Sequence, residues 1–137
     1  MGRVIEASGT LLLDTVAFIF WHADSPRLSA LARAAMLEAP QRAVYVSAAS
    51  AFEISTKVRL GKLAVDDALL NDFAYVVEAD GFRLLEVSVT AGVRAGQLAG
   101  THRDPFDRLI AAQALSLDAA VVTNDTAFAE LGATVFW

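Results

Sequence analysis

Short, wholly apolar runs alternate along this chain with longer segments whose apolar residues recur at helical spacing. Residues 10–14 (TLLLD), 43–47 (AVYVS), 82–87 (FRLLEV), 119–123 (AAVVT) and 134–137 (TVFW) predict five strands. Between the first two, VAFIFW predicts a short helix or turn, and Leu28 to Leu37 a helix with Leu28, Leu31, Ala32, Ala35 and Met36 on one face. A further helix is predicted from Ala48 to Leu60, stopped by Gly61. A single helix is then predicted from Val65 to Ala79, with Leu69, Phe73, Val76 and Val77 on one stripe. Val89 to Ala99 is weakly helical, and Pro105 to Leu117 aligns Phe106, Leu109, Ile110, Ala114 and Leu117.

Strands separated by helices imply βαβ crossovers, and so an α/β fold: a three-layer α/β/α sandwich around a mainly parallel five-stranded sheet. Ligands of such sheets bind beyond the carboxyl ends of the strands. Polar residues that directly follow a strand are therefore the ones to weigh.

Composition narrows the picture. The 137 residues suit one domain spanning 1–137, with no low-complexity tract, repeat or Pro/Gly-rich linker to divide them. No apolar run approaches the roughly 18 to 20 residues that cross a bilayer, and Glu6 and Asp14 do not suit a signal peptide's apolar region. No membrane association is expected. Without cysteine, disulfides and thiolate zinc sites are excluded, and a cytoplasmic location is the default expectation. Sixteen acidic against 11 basic residues give a net charge of -5, unlike most nucleic-acid binders. That objection weakens if several acids share a cation, which would turn repulsion of phosphate into attraction.

Four acids are placed for such sharing, and each also has an ordinary use. Asp14 follows the first strand and suits an N-cap. Glu53 completes an S-x-x-E capping box with Ser50 and has Lys57 four residues on as an ion partner. In His102-Arg103-Asp104-Pro105-Phe106-Asp107-Arg108, Asp104 suits a cap, Pro105 the first helical position, and Asp107 an acid favoured by the helix dipole. His102 reads as a surface or hydrogen-bonded residue. Asp125 lies in a turn past the fourth strand, whereas Asp118 precedes that strand and belongs at the opposite edge. Asp14, Asp125 and the residues leading Glu53's helix all follow predicted parallel strands. Like charges gathered there raise one another's pKa unless a cation neutralises them, and a carboxylate set without cysteine favours Mg2+ or Mn2+ over zinc.

The blocks that carry these acids resemble the PIN-domain family, specifically the VapC-like toxins of type II toxin–antitoxin (VapBC) systems. LLLDT resembles the first-strand acid block, SAASAFEISTKVRLGKL the second-acid helix, HRDPFDRLIAAQAL the family's most distinctive block, and VVTND its closing T-x-D. The resemblance implies an endoribonuclease in which Asp14, Glu53, Asp107 and Asp125 hold one or two Mg2+ or Mn2+ ions that activate water for attack on phosphate. Asp104 is a supporting acid of the DPFDR motif, Thr15 and Thr123 are candidate donors that orient the carboxylates, and Arg103 and Arg108 are candidates for positioning RNA. The same Arg residues have an alternative use in pairing with Asp104 or Asp107. The resemblance further implies a homodimer and a cognate VapB-like antitoxin whose C-terminal segment covers the groove. Phe18, Phe20 and Trp21 with Leu28 and Leu31 either supply that interface or belong to the core. The segment MGRVIEASG, residues 1–9, is a longer N-terminal extension than the resemblance leads one to expect.

Two other function classes compete. A phosphoacceptor receiver domain also gathers acids at a sheet edge but needs a lysine near its last strand, whereas the lysines here are Lys57 and Lys62. A catalytically silent PIN-like binding module is disfavoured by retention of all four acids.

Overall fold

The computed structural model describes residues 9–137; most of the expected N-terminal extension lies outside them. Five strands, β1 (Leu11–Leu13), β2 (Val44–Ser47), β3 (Arg83–Leu85), β4 (Ala120–Val122) and β5 (Thr134–Phe136), form one sheet in the order β3-β2-β1-β4-β5. Every neighbouring pair is parallel. The mainly parallel sheet expected from the sequence is thus wholly parallel. Receiver-type sheets follow the order 2-1-3-4-5, so this topology removes that reading.

The helices are α1 (Thr15–His22), α2 (Ala30–Met36), α3 (Ala48–Arg59), α4 (Asp67–Asn71), α5 (Phe73–Ala79), α6 (Val89–Gln97), α7 (Pro105–Leu117) and α8 (Ala127–Glu130). Side chains alternate between faces along a strand. Leu11, Leu13, Val44, Val46, Ala120 and Val122 accordingly meet Ala17, Phe18, Met36, Ile54, Leu69 and Val77 on one side. Leu12 and Val121 face the other way and pack against Ile110, Ala111, Ala114 and Phe128. Burial on both faces explains why the central strands are apolar at every position rather than at alternate ones.

The predicted single helix over 65–79 is two. Asp72 leaves the helical region at φ -148°, ψ 58°, ending α4 and starting α5. Leu69 and Val77 are nonetheless both fully buried, so the apolar stripe reports which residues face the sheet without revealing the break. The expected capping box at Ser50 is also displaced. Ser47, the last residue of β2, caps α3 by accepting from the Ala49 N–H at 3.0 Å, while the Ser50 hydroxyl bonds that of Thr15 at 2.9 Å. Glu53 therefore sits in the second turn of α3 rather than the first. The short helix α8 had no counterpart in the predicted elements.

A buried glutamine ties these parts together. Gln113 of α7 accepts from the Ser47 hydroxyl at 2.6 Å and donates to the Glu86 carbonyl at 3.2 Å, linking α7 to the ends of β2 and β3. Replacing it by leucine leaves a buried hydroxyl and a carbonyl without these partners, at about 1–3 kcal/mol for each unsatisfied group. Gln113→Leu is expected to lower the urea midpoint with an unchanged m-value; a midpoint equal to wild type would show that the link is dispensable.

Candidate active site at the carboxyl edge of the sheet

The register places the site. Leu13 lies beside Val46 on one side and Val122 on the other, so the next residues along, Ser47, Asp14 and Thr123, share one row at the carboxyl edge. The strand order reverses direction between β1 and β4, where a crevice opens in sheets of this kind. Asp14 stands at that point.

Each acid is held by a local contact. Asp14 caps α1, its Oδ1 accepting from the Ala17 N–H at 2.7 Å, and it also hydrogen-bonds the Thr123 hydroxyl. Thr123 accepts in turn from the Asp125 N–H at 3.0 Å, and Asp125 Oδ1 accepts from the Ala127 N–H at 2.9 Å. Asp104 caps α7, accepting from Phe106 and Asp107. Asp107, in the first turn, meets His102 Nε2 through Oδ2 at 2.8 Å. Glu53 Oε2 accepts from Lys57 Nζ at 2.7 Å. The other oxygen of Glu53, Oε1, is buried with no hydrogen-bond partner among the described residues.

Asp107, Asp125 and His102 each offer a ligand atom within 4.8 Å of the others. The remaining two acids lie near enough for charge to act between them and this group: Asp107 and Asp125 act on Asp14, and Glu53 acts on Asp107. Burial, chiefly, raises the Asp14 carboxyl to about 6, with the charges of Asp107 and Asp125 adding to it against the Thr123 and Ala17 hydrogen bonds. Burial likewise raises Asp107 to about 6, outweighing the His102 hydrogen bond, with Asp104 and Glu53 contributing further. His102 is raised in turn, first by its hydrogen bond to Asp107.

The predicted supporting residues divide. Thr123 does contact Asp14, but Thr15 bonds Ser50 instead of a carboxylate. Arg108, a candidate for positioning RNA, instead donates to the carbonyls of Ala95, His102 and Leu98, fastening α7 to α6 and the loop between them. Neither Arg108 nor its neighbours form the expected alternative pair with Asp104 or Asp107; Arg103 is exposed. His102 was missed as a member of the group. Its signal was its place in the loop just ahead of the Pro105 helix start, where a chain turning back can reach the first turn.

A group of two carboxylates and one imidazole, with Asp14 and the unsatisfied buried oxygen of Glu53 acting on it through their charges, is dominated by oxygen donors and fits a hard divalent cation that offsets the mutual repulsion. This is an α/β fold with an acidic candidate cation site near the switch point of its sheet. Residues 11–133 match the PIN domain family, and the chain belongs to that family. No curated protein sequence matches it. Among solved structures, it is similar to FitAB bound to an IR36 DNA fragment, at 21% identity over 93% of this chain and 94% of that one, TM-score 0.65. It is also similar to FitAcB from Neisseria gonorrhoeae, at 23% identity over 93% and 97%, TM-score 0.64. VapBC2 from Rickettsia felis, bound to a DNA fragment from its promoter, matches at 17% identity over 93% and 97%, TM-score 0.68.

Acids raised on folding bind protons that the unfolded chain has lost, so stability falls as pH rises from the ordinary carboxylate range near 3.8 through about 6. For the buried Asp14 the loss is on the order of 3 kcal/mol. In EDTA, thermal unfolding is expected to show a higher Tm near pH 5 than near pH 7.5 (about one unit below and well above the raised values). Mn2+ should raise Tm at the higher pH and do little at the lower, and Asp14→Asn should be more stable than wild type at the higher pH in EDTA. A pH-independent Tm in EDTA would contradict the raising of these acids by burial.

Proposed function

We propose that this protein is a Mg2+- or Mn2+-dependent endoribonuclease, the toxin of a VapBC-type toxin–antitoxin pair, which inhibits translation by cutting RNA. The observation that supports this reading is the grouping of Asp107, Asp125 and His102, with Asp14 and Asp107 both raised to about 6 and Glu53, whose charge adds to the rise of Asp107, keeping a bare buried oxygen. Capping alone does not call for burying these acids within reach of one another's charge. Membership of the PIN domain family supports a nuclease in general; RNA as the substrate comes from the resemblance of the sequence blocks to VapC-like toxins.

In this reading Asp14, Glu53, Asp107 and Asp125 hold the ion or ions. Once bound there, a divalent ion lowers the pKa of its water and neutralises charge on the phosphate. Hydrolysis joins the water oxygen to phosphorus and breaks the bond to the 3′-oxygen, which leaves as a hydroxyl. The chain's own part is orientation. Asp14 and Asp125 are fixed through Thr123, Asp107 through His102, and Asp104 sets the helix turn from which Asp107 projects. Arg103, exposed beside the acids, remains the candidate for contacting RNA phosphates.

FitAB, FitAcB and VapBC2 are named as two-component assemblies, and two of the three structures include DNA. For this chain the corresponding partner is a VapB-like antitoxin, with a homodimer of the toxin. The interface expected from Phe18, Phe20, Trp21, Leu28 and Leu31 narrows, because Phe18 and Leu28 are core residues while Leu31 is 67% exposed. Among the described residues, no helix is long and apolar enough to cross a membrane.

Incubation of total RNA with purified protein should give discrete products in Mg2+ or Mn2+ and none in EDTA. Asp14→Asn and Asp107→Asn should each reduce cleavage by more than about 100-fold, the upper end of what losing an outer-shell partner does to a metal site, while keeping a cooperative unfolding transition. Full activity in either variant or in EDTA defeats the mechanism. RNA binding without cleavage by the wild type would replace the enzyme with a binding module, and unimpaired growth of cells overproducing the protein alone would count against a toxin.

A further inference from the structure

Two of the site helices carry a phenylalanine immediately before their carboxylate: Phe52 before Glu53 in α3, and Phe106 before Asp107 in α7. The rings meet across the two helices edge to face, with centroids 5.4 Å apart and planes at 83°. Phe106 is half-buried. Phe52 is 67% exposed, although Glu53 and Ile54 beside it are buried. An isolated apolar side chain on a surface needs no explanation, but this one is neither isolated nor randomly placed. The edge-to-face contact restrains its ring, and it joins the two residues that directly precede Glu53 and Asp107.

The cluster has a second property that bears on this. A polyanionic substrate approaching an acidic crevice needs attraction from somewhere, and the nearest cations are largely engaged. Lys57 is paired with Glu53, and Arg108 is turned into the protein onto backbone carbonyls. Stacking of a base on an aromatic face requires no charge and tolerates any base, since each has a π-face.

We propose that Phe52, held in place by Phe106, stacks on a nucleobase adjacent to the scissile phosphate and so aligns the RNA backbone over the carboxylates. This rests on the nuclease reading above. Phe52 is then a substrate-binding residue whose contribution is independent of salt, in contrast to phosphate contacts, whose strength falls with ionic strength.

The test uses a short single-stranded RNA that the wild type cleaves in Mn2+, together with copies lacking the base on either side of the cut. Phe52→Ala is expected to raise KM about tenfold with kcat little changed, and Phe52→Trp to restore it. Loss of one flanking base should impair the wild type by a similar factor and add nothing to the Phe52→Ala defect. The salt dependence of RNA binding should keep the same slope in both proteins. An unaltered KM in Phe52→Ala, or a base-removal penalty as large as in wild type, sinks the stacking role while leaving the nuclease standing. Sedimentation separates the other occupant of such a surface: a wild-type dimer that dissociates in Phe52→Ala and is not rescued in Phe52→Trp would assign the ring to contact between copies and overturn the proposal. A wild type that cleaves no RNA overturns both readings together.

Discussion

The pairing of β1 with β2 on one side and β4 on the other is the constraint from which the site follows. Three short parallel strands in common register end on the same row, and whatever residue the chain places after each strand becomes a neighbour of the others. Ser47, Asp14 and Thr123 occupy that row. The first caps α3, the second caps α1, and the third links Asp14 to Asp125. The row thus launches two helices and aims two acids through one set of hydrogen bonds. A slip of a single residue that brought Leu13 to the edge would move Asp14 past it and turn its side chain toward the face on which Leu11 and Leu13 now lie, because successive residues point to opposite faces.

Crowding of negative charge is the second consequence, and it sets stability against function. Asp14 is 4% exposed and Glu53 5%, so the surrounding medium screens them poorly. Ordinary folding forces would replace such a group with apolar residues or complete it with cations. The chain does the latter in part: Lys57 satisfies one oxygen of Glu53, and His102 one oxygen of Asp107. It does not do so for Glu53 Oε1. The guanidinium closest in sequence to Asp107 is instead bound by the backbone carbonyls of Ala95, Gly96, Leu98 and His102, at the end of α6 and beyond it. That arrangement keeps a strong permanent cation out of the crevice, where it would compete with a metal ion.

The strands were legible because burial on both faces writes an unbroken apolar run, as in Leu11-Leu12-Leu13 and Ala120-Val121-Val122. That Asp14 and the turn carrying Asp125 share one edge of the sheet was legible because parallel topology decides which strand ends coincide, and that needs only the alternation of elements. What escaped was set by contacts between distant residues. Nothing local to Asp72 distinguishes a helix that continues from one that changes direction there. Ser50 satisfies the pattern of a capping box, but the start of α3 is determined by Ser47, whose hydroxyl is held by Gln113, 66 residues away. His102 is a hydrogen-bonded residue, as its sequence context suggests, but that its partner is Asp107 is established by the path of the loop into Asp104 and Pro105, not by spacing alone.

Capping and metal binding first appear as rival explanations of the same carboxylates, but the geometry makes them complementary. Asp14 gives Oδ1 to Ala17, Asp125 gives Oδ1 to Ala127, Asp107 gives Oδ2 to His102, and Glu53 gives Oε2 to Lys57. Each contact fixes the orientation of a side chain that would otherwise rotate. A carboxylate has roughly four lone-pair sites, so one such bond leaves capacity to accept another partner. Held this way, the acids need little reordering to bind an ion, and the entropy of fixing them has already been met in folding. The features that make each acid unremarkable alone are those that would let the four together serve a cation as the proposed function requires.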